Sequence, residues 1–420
     1  MGKRIYILVL SLTAFISAAA QTPAGFDTVC GKVVDSKTGE PVFFASVSLE
    51  GSRISNVTNS EGVFTLKVPE GSAGQVLVTH LGYANASIPI ASFAGSSSDS
   101  PKTISLIPSS IRLEAAVVRS IDPDQLFNTV LRRIKDNYPD QHVWMTAFYR
   151  EMIRKGTGKY LTLNEAIVDI DKAPYDAFTN DRSKIYKGRG SQNYTVTDTL
   201  FVNFQGGIVN SLMLDIAKNP FVGCSQFEAA NVYDFELGQT ESIDDKPFLV
   251  LKFNQKPGIE DILYNGRAYI DPESFAIARL EFSVNLAGRE EEASGIFVLK
   301  KPAETTFYIE NAEYVVNYKR YGDKWYFEYC RTLFDFSTRK RKSIFRTHYG
   351  ITSEMAVTNH HEEEIRILSQ DRVKLSDILS ERVSDFTDDN FWEGYNVIEP
   401  DKSIDNIVRI IVRQLKNREK

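Results

Sequence analysis

Residues 31–68 read GKVVDSKTGEPVFFASVSLEGSRISNVTNSEGVFTLKV, and this stretch decides the fold of the N-terminal part of the chain. Short runs of β-favouring residues alternate in it with clusters of Asp, Ser, Gly, Asn and Pro, which form turns. Ala45, Val47 and Leu49 alternate with serines, which places them on one face of a strand. Strands this short, at this spacing, predict a small β-sandwich over residues 29–107.

The same stretch resembles the carboxypeptidase regulatory-like domain, a transthyretin-like sandwich common at the front of exported proteins of Bacteroidetes-type bacteria. The matching positions are, in order, Gly31, Asp35, residues 38–41, Ala45, Val47, Gly51, residues 58–59, residues 61–62 and Phe64. We expect the glycines to supply positive φ in turns and Phe64 to fill the core. The resemblance implies a fold and carries over no catalytic residue.

The N-terminus has the pattern of a secretory signal peptide over residues 1–20. Lys3 and Arg4 precede an apolar stretch at residues 5–16, and three alanines follow at 18–20. This stretch is too short to predict a transmembrane helix, and no later segment reaches ~18 consecutive apolar residues. We therefore predict an exported protein of the periplasm or associated with the outer membrane, with no transmembrane helix after signal removal.

The net charge of the chain bears on its partners, and its cysteine content bears on disulfide formation. The formal net charge of −6 is spread through the chain, so nucleic acid is not an expected partner. The dense basic run at residues 339–342 is interpreted as a hairpin turn or a solvated loop. Cys30, Cys224 and Cys330 form no paired motif, so they are either buried apolar residues or include one disulfide.

After the sandwich, the sequence predicts a connecting helix at residues 121–139 and then a large antiparallel sheet at 143–355. Asp122 and Pro123 are a typical helix start. Turns are expected at 271–274 and 322–323, and the one helical insertion at 207–218. Residues 356–420 should hold a strand and an amphipathic helix. The predicted fold class is mainly β: an N-terminal transthyretin-like β-sandwich followed by a large curved antiparallel sheet, half-barrel-like, with a few helices.

A second, less specific resemblance lies in this sheet. Residues 264–282, YNGRAYIDPESFAIARLEF, resemble the repeated hairpin of lipoprotein-carrier-like half-barrels, in which a curved sheet wraps a helix or a hydrophobic ligand. Residues 147–170 and 391–415 resemble segments of other Bacteroidetes proteins with this domain order. These resemblances imply architecture and cellular address, and no activity.

The sequence contains no recognisable catalytic constellation. His360 with Glu363, or His361 with Glu364, has zinc-ligand spacing, but no later His completes a set, and the pair is interpreted as lying on a solvated strand. No nucleophile elbow, nucleotide-binding glycine loop or calcium-loop signature occurs. The acidic run at residues 290–292 is interpreted as a solvated turn. We therefore predict no catalytic residue, no metal and no cofactor.

One constellation of aromatic residues suggests binding. Tyr and Trp combine a flat apolar surface with a polar tip, which suits an amphipathic ligand or a protein partner. The candidate ligand-binding residues are Trp144, Tyr149, Tyr318, Trp325, Phe327 and Tyr329. The alternative is that these alternating aromatics fill the core of a large sheet.

Three functional hypotheses follow from the sequence. The first is a non-enzymatic exported envelope protein with a binding or adaptor role, in which the second domain binds an apolar ligand or another envelope protein. The second is a hydrolase that uses Asp and Glu residues in a cleft of the second domain. The third is an accessory of a TonB-linked outer-membrane uptake system, because the same sandwich fronts many such receptors.

Overall fold

The computed structural model describes residues 25–109, 121–156, 159–177, 179–192, 203–204, 207–219, 228–243, 245–300, 303–384 and 391–401, with 404 and 408. The predicted signal peptide and most of the predicted C-terminal helix lie outside these residues. Strands are β1 (Phe26–Asp35), β2 (Ser46–Leu49), β3 (Ser55–Val57), β4 (Val63–Pro69), β5 (Gln75–Thr79), β6 (Ala86–Pro89), β7 (Lys102–Leu106), β8 (Val143–Lys155), β9 (Lys159–Lys172), β10 (Arg182–Gln192), β11 (Asn203–Phe204), β12 (Tyr233–Leu237), β13 (Glu241–Ile243), β14 (Lys246–Gln255), β15 (Tyr264–Ile270), β16 (Ile277–Val284), β17 (Val298–Lys300), β18 (Thr305–Tyr321), β19 (Lys324–Lys340) and β20 (Thr347–His361). Helices are α1 (Pro123–Asn137), α2 (Gly207–Met213), α3 (Ala229–Val232) and α4 (Glu290–Phe297), with 3₁₀ turns at Ile90–Phe93 and Leu379–Glu381.

The N-terminal domain is a sandwich of two small sheets, as predicted. One sheet has the order β4–β1–β7, in which β1 and β7 are parallel, and the other has the order β3–β2–β5–β6. Alternate residues of both sheets point between them and form an apolar core. The fully buried members of this core include Val33, Ala45, Val47, Phe64, Leu66, Val76 and Val78.

Two glycines of the matching motif act in different ways. Gly62 has a φ of +75°, and a Cβ there would overlap the carbonyl oxygen of Val33. Gly31 lies in β1 without a positive φ, and a Cβ there would collide with the Phe64 ring. The expectation of turn glycines is therefore correct for Gly62 and wrong for Gly31, which gives Phe64 room in the core.

The second domain is built on one open antiparallel sheet of 11 strands. Its order is β10–β9–β8–β20–β19–β18–β16–β15–β14–β12, with β13 paired to β14. Buried and half-buried residues alternate along β16, as expected for a sheet with one dry face. The turns predicted at 271–274 and 322–323 join β15 to β16 and β18 to β19. The mainly β class and the large antiparallel sheet are thus confirmed, and the sheet does not close into a barrel.

The inner face of this sheet is the face that carries Ala147 and Tyr149, and helices cover it. Apolar residues of α1 and α2 pack there against β8, β9 and β16 in one continuous core. The expectation of a single helical insertion is wrong, because α3 and α4 form as well. Residues 290–292 open α4 instead of forming a solvated turn, and carboxylates in a first helical turn are favoured by the helix dipole.

The outer face carries Phe148 and Arg150, and the N-terminal sandwich docks on it. Ser55 Oγ donates a hydrogen bond of 2.9 Å to the carbonyl of Val357. The Phe44 ring lies 4.7 Å from that of Tyr329 between centroids, and Phe44 has a φ of +59°. A non-glycine residue is strained in that conformation, so contact across the domain junction stabilises it.

His360 lies at the same junction, at the end of β20. It is buried, with its ring 5.4 Å from Tyr321 and 5.5 Å from Tyr326 between centroids. The interpretation of this histidine as part of a solvated strand is wrong, because the sandwich covers that end of the strand. Burial, followed by the positive charge of Arg53, lowers the pKa of His360 to about 3.

Replacing Gly62 by alanine tests the sandwich turn. We expect Gly39→Ala to lower the free energy of unfolding by about 1–2 kcal/mol, the cost of a left-handed conformation for a residue with a Cβ. Gly62→Ala should cost about 3 kcal/mol or more, because steric overlap with Val33 adds to that strain. Gly39 is the matched control, since its φ is +74° and its added Cβ would meet no atom within 4 Å. Equal losses in urea titrations of the two variants would contradict this account.

Replacing His360 by glutamine tests the pH dependence of domain docking. In the unfolded chain a histidine takes up a proton below ~6.5, whereas folded His360 stays neutral down to about 3. The unfolded state therefore binds more protons in this window, and stability falls as the pH falls. When the pH is lowered from 7 to 5, the free energy of unfolding measured in urea should fall by about 2 kcal/mol less in His360→Gln than in the parent protein. A slope in His360→Gln that equals that of the parent protein would refute the assignment.

Candidate functional site

A cavity of about 630 Å³ lies where three parts of the chain meet. The sandwich contributes Phe26 and Lys67, and the outer face of the large sheet contributes Arg150 and Glu165. The third wall is the clasp segment, which we define as residues 391–401. This volume is within the range of small-ligand sites, roughly 300–1,000 Å³, and it exists only because both domains and the clasp segment come together.

A line of alternating charges crosses four neighbouring strands at the floor of this cavity. Arg150 of β8 lies opposite Glu354 of β20 on one side and opposite Glu165 of β9 on the other. Glu165 in turn lies opposite Arg189 of β10. Because side chains alternate between faces along a strand, strand register alone places all four on the outer face. Opposite charges on directly facing residues stabilise the pairing of strands. We call these four residues the charge ladder.

Hydrogen bonds join the neighbouring members of the charge ladder. Arg150 Nη2 lies 2.6 Å and Nε 2.8 Å from Glu165 Oε1, and Arg150 Nη1 lies 3.3 Å from Glu354 Oε1. Arg189 Nε donates to Glu165 Oε2 at 2.9 Å. The side chains of Arg150 and Glu165 are only 2% and 1% exposed. Burial opposes ionisation of Glu165, but the charges of Arg150 and Arg189 outweigh it and lower the pKa of this carboxyl.

Arg150 also holds the clasp segment against the sheet. Its Nη2 donates a hydrogen bond of 2.8 Å to the carbonyl of Ile398. On the sandwich side, Asn396 accepts from the Lys67 amide at 2.7 Å and donates to the Lys67 carbonyl at 3.1 Å. Asn56 Nδ2 donates to the carbonyl of Val397 at 2.8 Å. The clasp segment is therefore pinned from both sides and keeps the cavity walls in place.

Cations and aromatic rings share the walls of the cavity. The Arg189 guanidinium lies 4.9 Å from the centroid of the Trp392 ring, and the Lys67 ammonium lies 5.2 Å from that of Phe26. Lys67 Nζ also donates to the carbonyl of Glu393. Burial lowers the pKa of Lys67, although Glu399 and Glu393 oppose the shift. A positive group beside a flat apolar surface suits a ligand that carries a negative group on an apolar body.

A second buried polar cluster lies on the inner face and is fully occupied by its own bonds. Lys172 Nζ lies 2.6 Å from both Asp181 and Asp215. Tyr175 and Tyr318 donate hydroxyl hydrogen bonds of 2.6 and 2.8 Å to Asp215. Each carboxylate is thus matched by donors, as buried charges require. This cluster anchors the segment after α2 to the sheet.

The aromatic residues predicted from the sequence do not gather at the cavity. Tyr149, Tyr318, Trp325 and Phe327 pack in the core of the inner face. Tyr329 packs on the outer face against the sandwich, and Trp144 is half-buried in β8. None of the six lines the cavity, so their proposed role in ligand binding stays a prediction.

The structure also bears on the expectations for the cysteines, for metal ligands and for membrane-spanning helices. Cys30 and Cys330 are buried and form no disulfide, and Cys224 lies outside the described residues. Within the described ranges, no group of three or more His, Cys, Asp or Glu side chains is placed to hold a metal ion. No helix of the described chain is long and apolar enough to cross a membrane.

The sequence did contain a signal for the charge ladder. Arg150 and Glu165 each lie in a strand that also holds a run of buried residues, in the stretches AFYREM and LNEAIV. A charged residue in such a strand is buried only when it is paired. The pairing of Arg150 with Glu165 could therefore have been predicted from the sequence, because their strands form a hairpin. The contact of Arg150 with the clasp segment could not have been predicted in this way.

Comparisons with known proteins cover the two domains separately. Residues 29–118 match the family model of the CarboxypepD_reg-like domain. No curated protein matches the chain. A solved candidate outer membrane lipoprotein-sorting protein domain from Vibrio parahaemolyticus is similar over 58% of this chain and 95% of its own, with 12% identity and a TM-score of 0.23.

Two further solved structures give similar values. A DUF1329 family protein from Desulfovibrio piger has 12% identity, covers 56% of this chain and 94% of its own, and has a TM-score of 0.22. A LolA superfamily protein from Nitrosomonas europaea has 12% identity, covers 57% of this chain and 94% of its own, and has a TM-score of 0.21. At these TM-scores the likeness carries no further conclusion. The match to the CarboxypepD_reg-like domain therefore covers the N-terminal part of the chain, at residues 29–118.

Proposed function

We propose that this chain is a non-enzymatic binding protein of the cell envelope. The ligand occupies the cavity between the sandwich, the outer face of the sheet and the clasp segment. The observation that carries this proposal is the composition of the cavity, whose walls come from both domains and whose floor includes Arg150, Glu165 and Arg189 of the charge ladder. The envelope location rests on the signal-peptide pattern of residues 1–20.

The chemistry of the walls favours an amphipathic ligand with an anionic group. Lys67 of the sandwich and Arg189 of the sheet supply positive charge, Trp392, Val397 and Ile398 supply apolar surface, and the carboxylates of Glu393 and Glu399 also line the cavity. Arg150 is committed to Glu165, Glu354 and Ile398, so it positions its neighbours. Arg189 is 14% exposed and is the ladder residue best placed to meet a carboxylate or phosphate.

The same geometry argues against Glu165 as the general acid of a hydrolase. A carboxyl that acts as a general acid needs a raised pKa. Glu165 shows the opposite shift, because two guanidinium groups outweigh its burial. A carboxylate held ionised in this way orients cations and does not donate a proton. Binding is therefore the function that the cavity supports best, and the TonB-accessory hypothesis stays a prediction.

Binding of defined amphiphiles tests the proposal. Dodecanoate and dodecyl phosphate, each below its critical micelle concentration, should bind the full chain with a stoichiometry of one in titration calorimetry. Arg189→Gln should weaken both about tenfold or more, because a hydrogen bond to a charged group contributes ~1.5–3 kcal/mol. Dodecyl maltoside has no charge and should lose much less affinity in the same variant.

Arg267→Gln is the matched control for this experiment. Arg267 also pairs with a glutamate across neighbouring strands, at 2.6 Å from Glu281, but it lies outside the cavity. We expect it to bind all three amphiphiles as the parent protein does. Absence of binding to the parent protein, or equal losses in the two variants, would contradict the proposal.

A further inference from the structure

The turn between β19 and β20 exposes two large apolar side chains side by side. Ile344 is 87% and Phe345 77% exposed, the highest values among the large hydrophobic residues that the structure describes. The Phe345 amide donates to Ser343 Oγ, and the Ser343 hydroxyl lies 3.1 Å from the Phe345 carbonyl. Single exposed apolar residues are ordinary on protein surfaces, but an adjacent pair held out by its own turn calls for a partner.

Positive charge surrounds this apolar pair. The eight residues 339–346 read RKRKSIFR and contain five cations and no acid, although the whole chain has a net charge of −6. All five cationic side chains are exposed. Arg341 pairs with Glu304 at 3.2 Å, and the Arg346 guanidinium lies 3.6 Å from the centroid of the Tyr308 ring. We call residues 339–346 the basic tip.

The basic tip stands on a rigid base at one end of the large sheet. Strand pairing continues up to it, since Lys340 is opposite Thr305 and Thr347 is opposite Thr338. Beneath it, Phe307, Phe336 and Tyr349 pack in a separate apolar cluster. The sheet therefore holds the backbone of the tip, so ordering of that backbone costs little conformational entropy on binding.

We propose that the basic tip docks this protein onto the surface of an anionic lipid bilayer. Ile344 and Phe345 insert at the boundary between headgroups and acyl chains, and the five cations contact anionic headgroups. Apolar insertion and basic charge each give weak membrane binding, and together they give stable attachment. The cavity of the charge ladder takes no part in this contact. If the partner were instead an acidic protein surface, the apolar pair would not enter the bilayer, and Phe345→Trp would show no quenching by brominated acyl chains.

Vesicle sedimentation with the full chain tests the contribution of charge. The protein should bind phosphatidylcholine vesicles that contain phosphatidylglycerol, bind pure phosphatidylcholine much more weakly, and dissociate as salt is raised. Arg341→Gln with Lys342→Gln should lower the partition coefficient about 25-fold, because each basic residue near an anionic surface contributes ~1 kcal/mol, or about fivefold. Arg132→Gln with Lys135→Gln, on the exposed side of α1, is the charge-matched control and should bind as the parent does. Arg189→Gln should also bind vesicles normally, which separates this contact from ligand binding in the cavity.

A fluorescent probe tests whether the apolar pair enters the bilayer. In Phe345→Trp, emission above the parent background should shift to the blue on adding anionic vesicles, and brominated acyl chains should quench it. Ile344→Ser with Phe345→Ser should bind vesicles at least tenfold more weakly, with unchanged urea unfolding because both residues are exposed. Vesicle binding that is unaffected by the serine variant, or a tryptophan without shift or quenching, would overturn the proposal in favour of a different partner.

Discussion

The guanidinium of Arg150 is the point on which the second domain depends. It lies between two carboxylates on neighbouring strands and reaches the backbone carbonyl of Ile398 in the clasp segment. A buried charge is tolerated only where such partners surround it. The position of the clasp segment and the floor of the cavity therefore both depend on Arg150 and its three partners.

The large sheet uses its two faces for different purposes. On the inner face, helices and the cluster around Lys172 fill the space with packed and fully bonded side chains. On the outer face, the sandwich meets the sheet through a smaller apolar patch that includes Phe148, Tyr329 and Trp392. The sandwich, the sheet and the clasp segment do not fill the junction between them completely. The cavity is the space that remains, and paired charges line part of it.

The residues that depart from the local pattern are the ones that carry the proposals. Arg150 and Glu165 are charges in buried strands, and Ile344 and Phe345 are apolar residues on an exposed turn. His360 departs in the same way, as a buried histidine in a polar stretch of sequence. Arg150, Glu165 and His360 were misread or overlooked from the sequence, because the environment of each is supplied by residues far away in the chain. Arg150 and Ile398, for example, are separated by 248 positions.

The sequence by itself determined the elements that depend on local chemistry. Turn residues and alternating apolar positions specified the sandwich, and the cap at Asp122 and the hairpins of the large sheet follow from neighbours in the chain. The separation of the aromatic residues onto two faces, the burial of His360 and the charge ladder required the tertiary structure. Alternation states which residues share a face of a strand, but not which domain covers that face. Contact between the sandwich, the sheet and the clasp segment decided where the cavity lies, because burial and pairing are properties of the assembled surfaces.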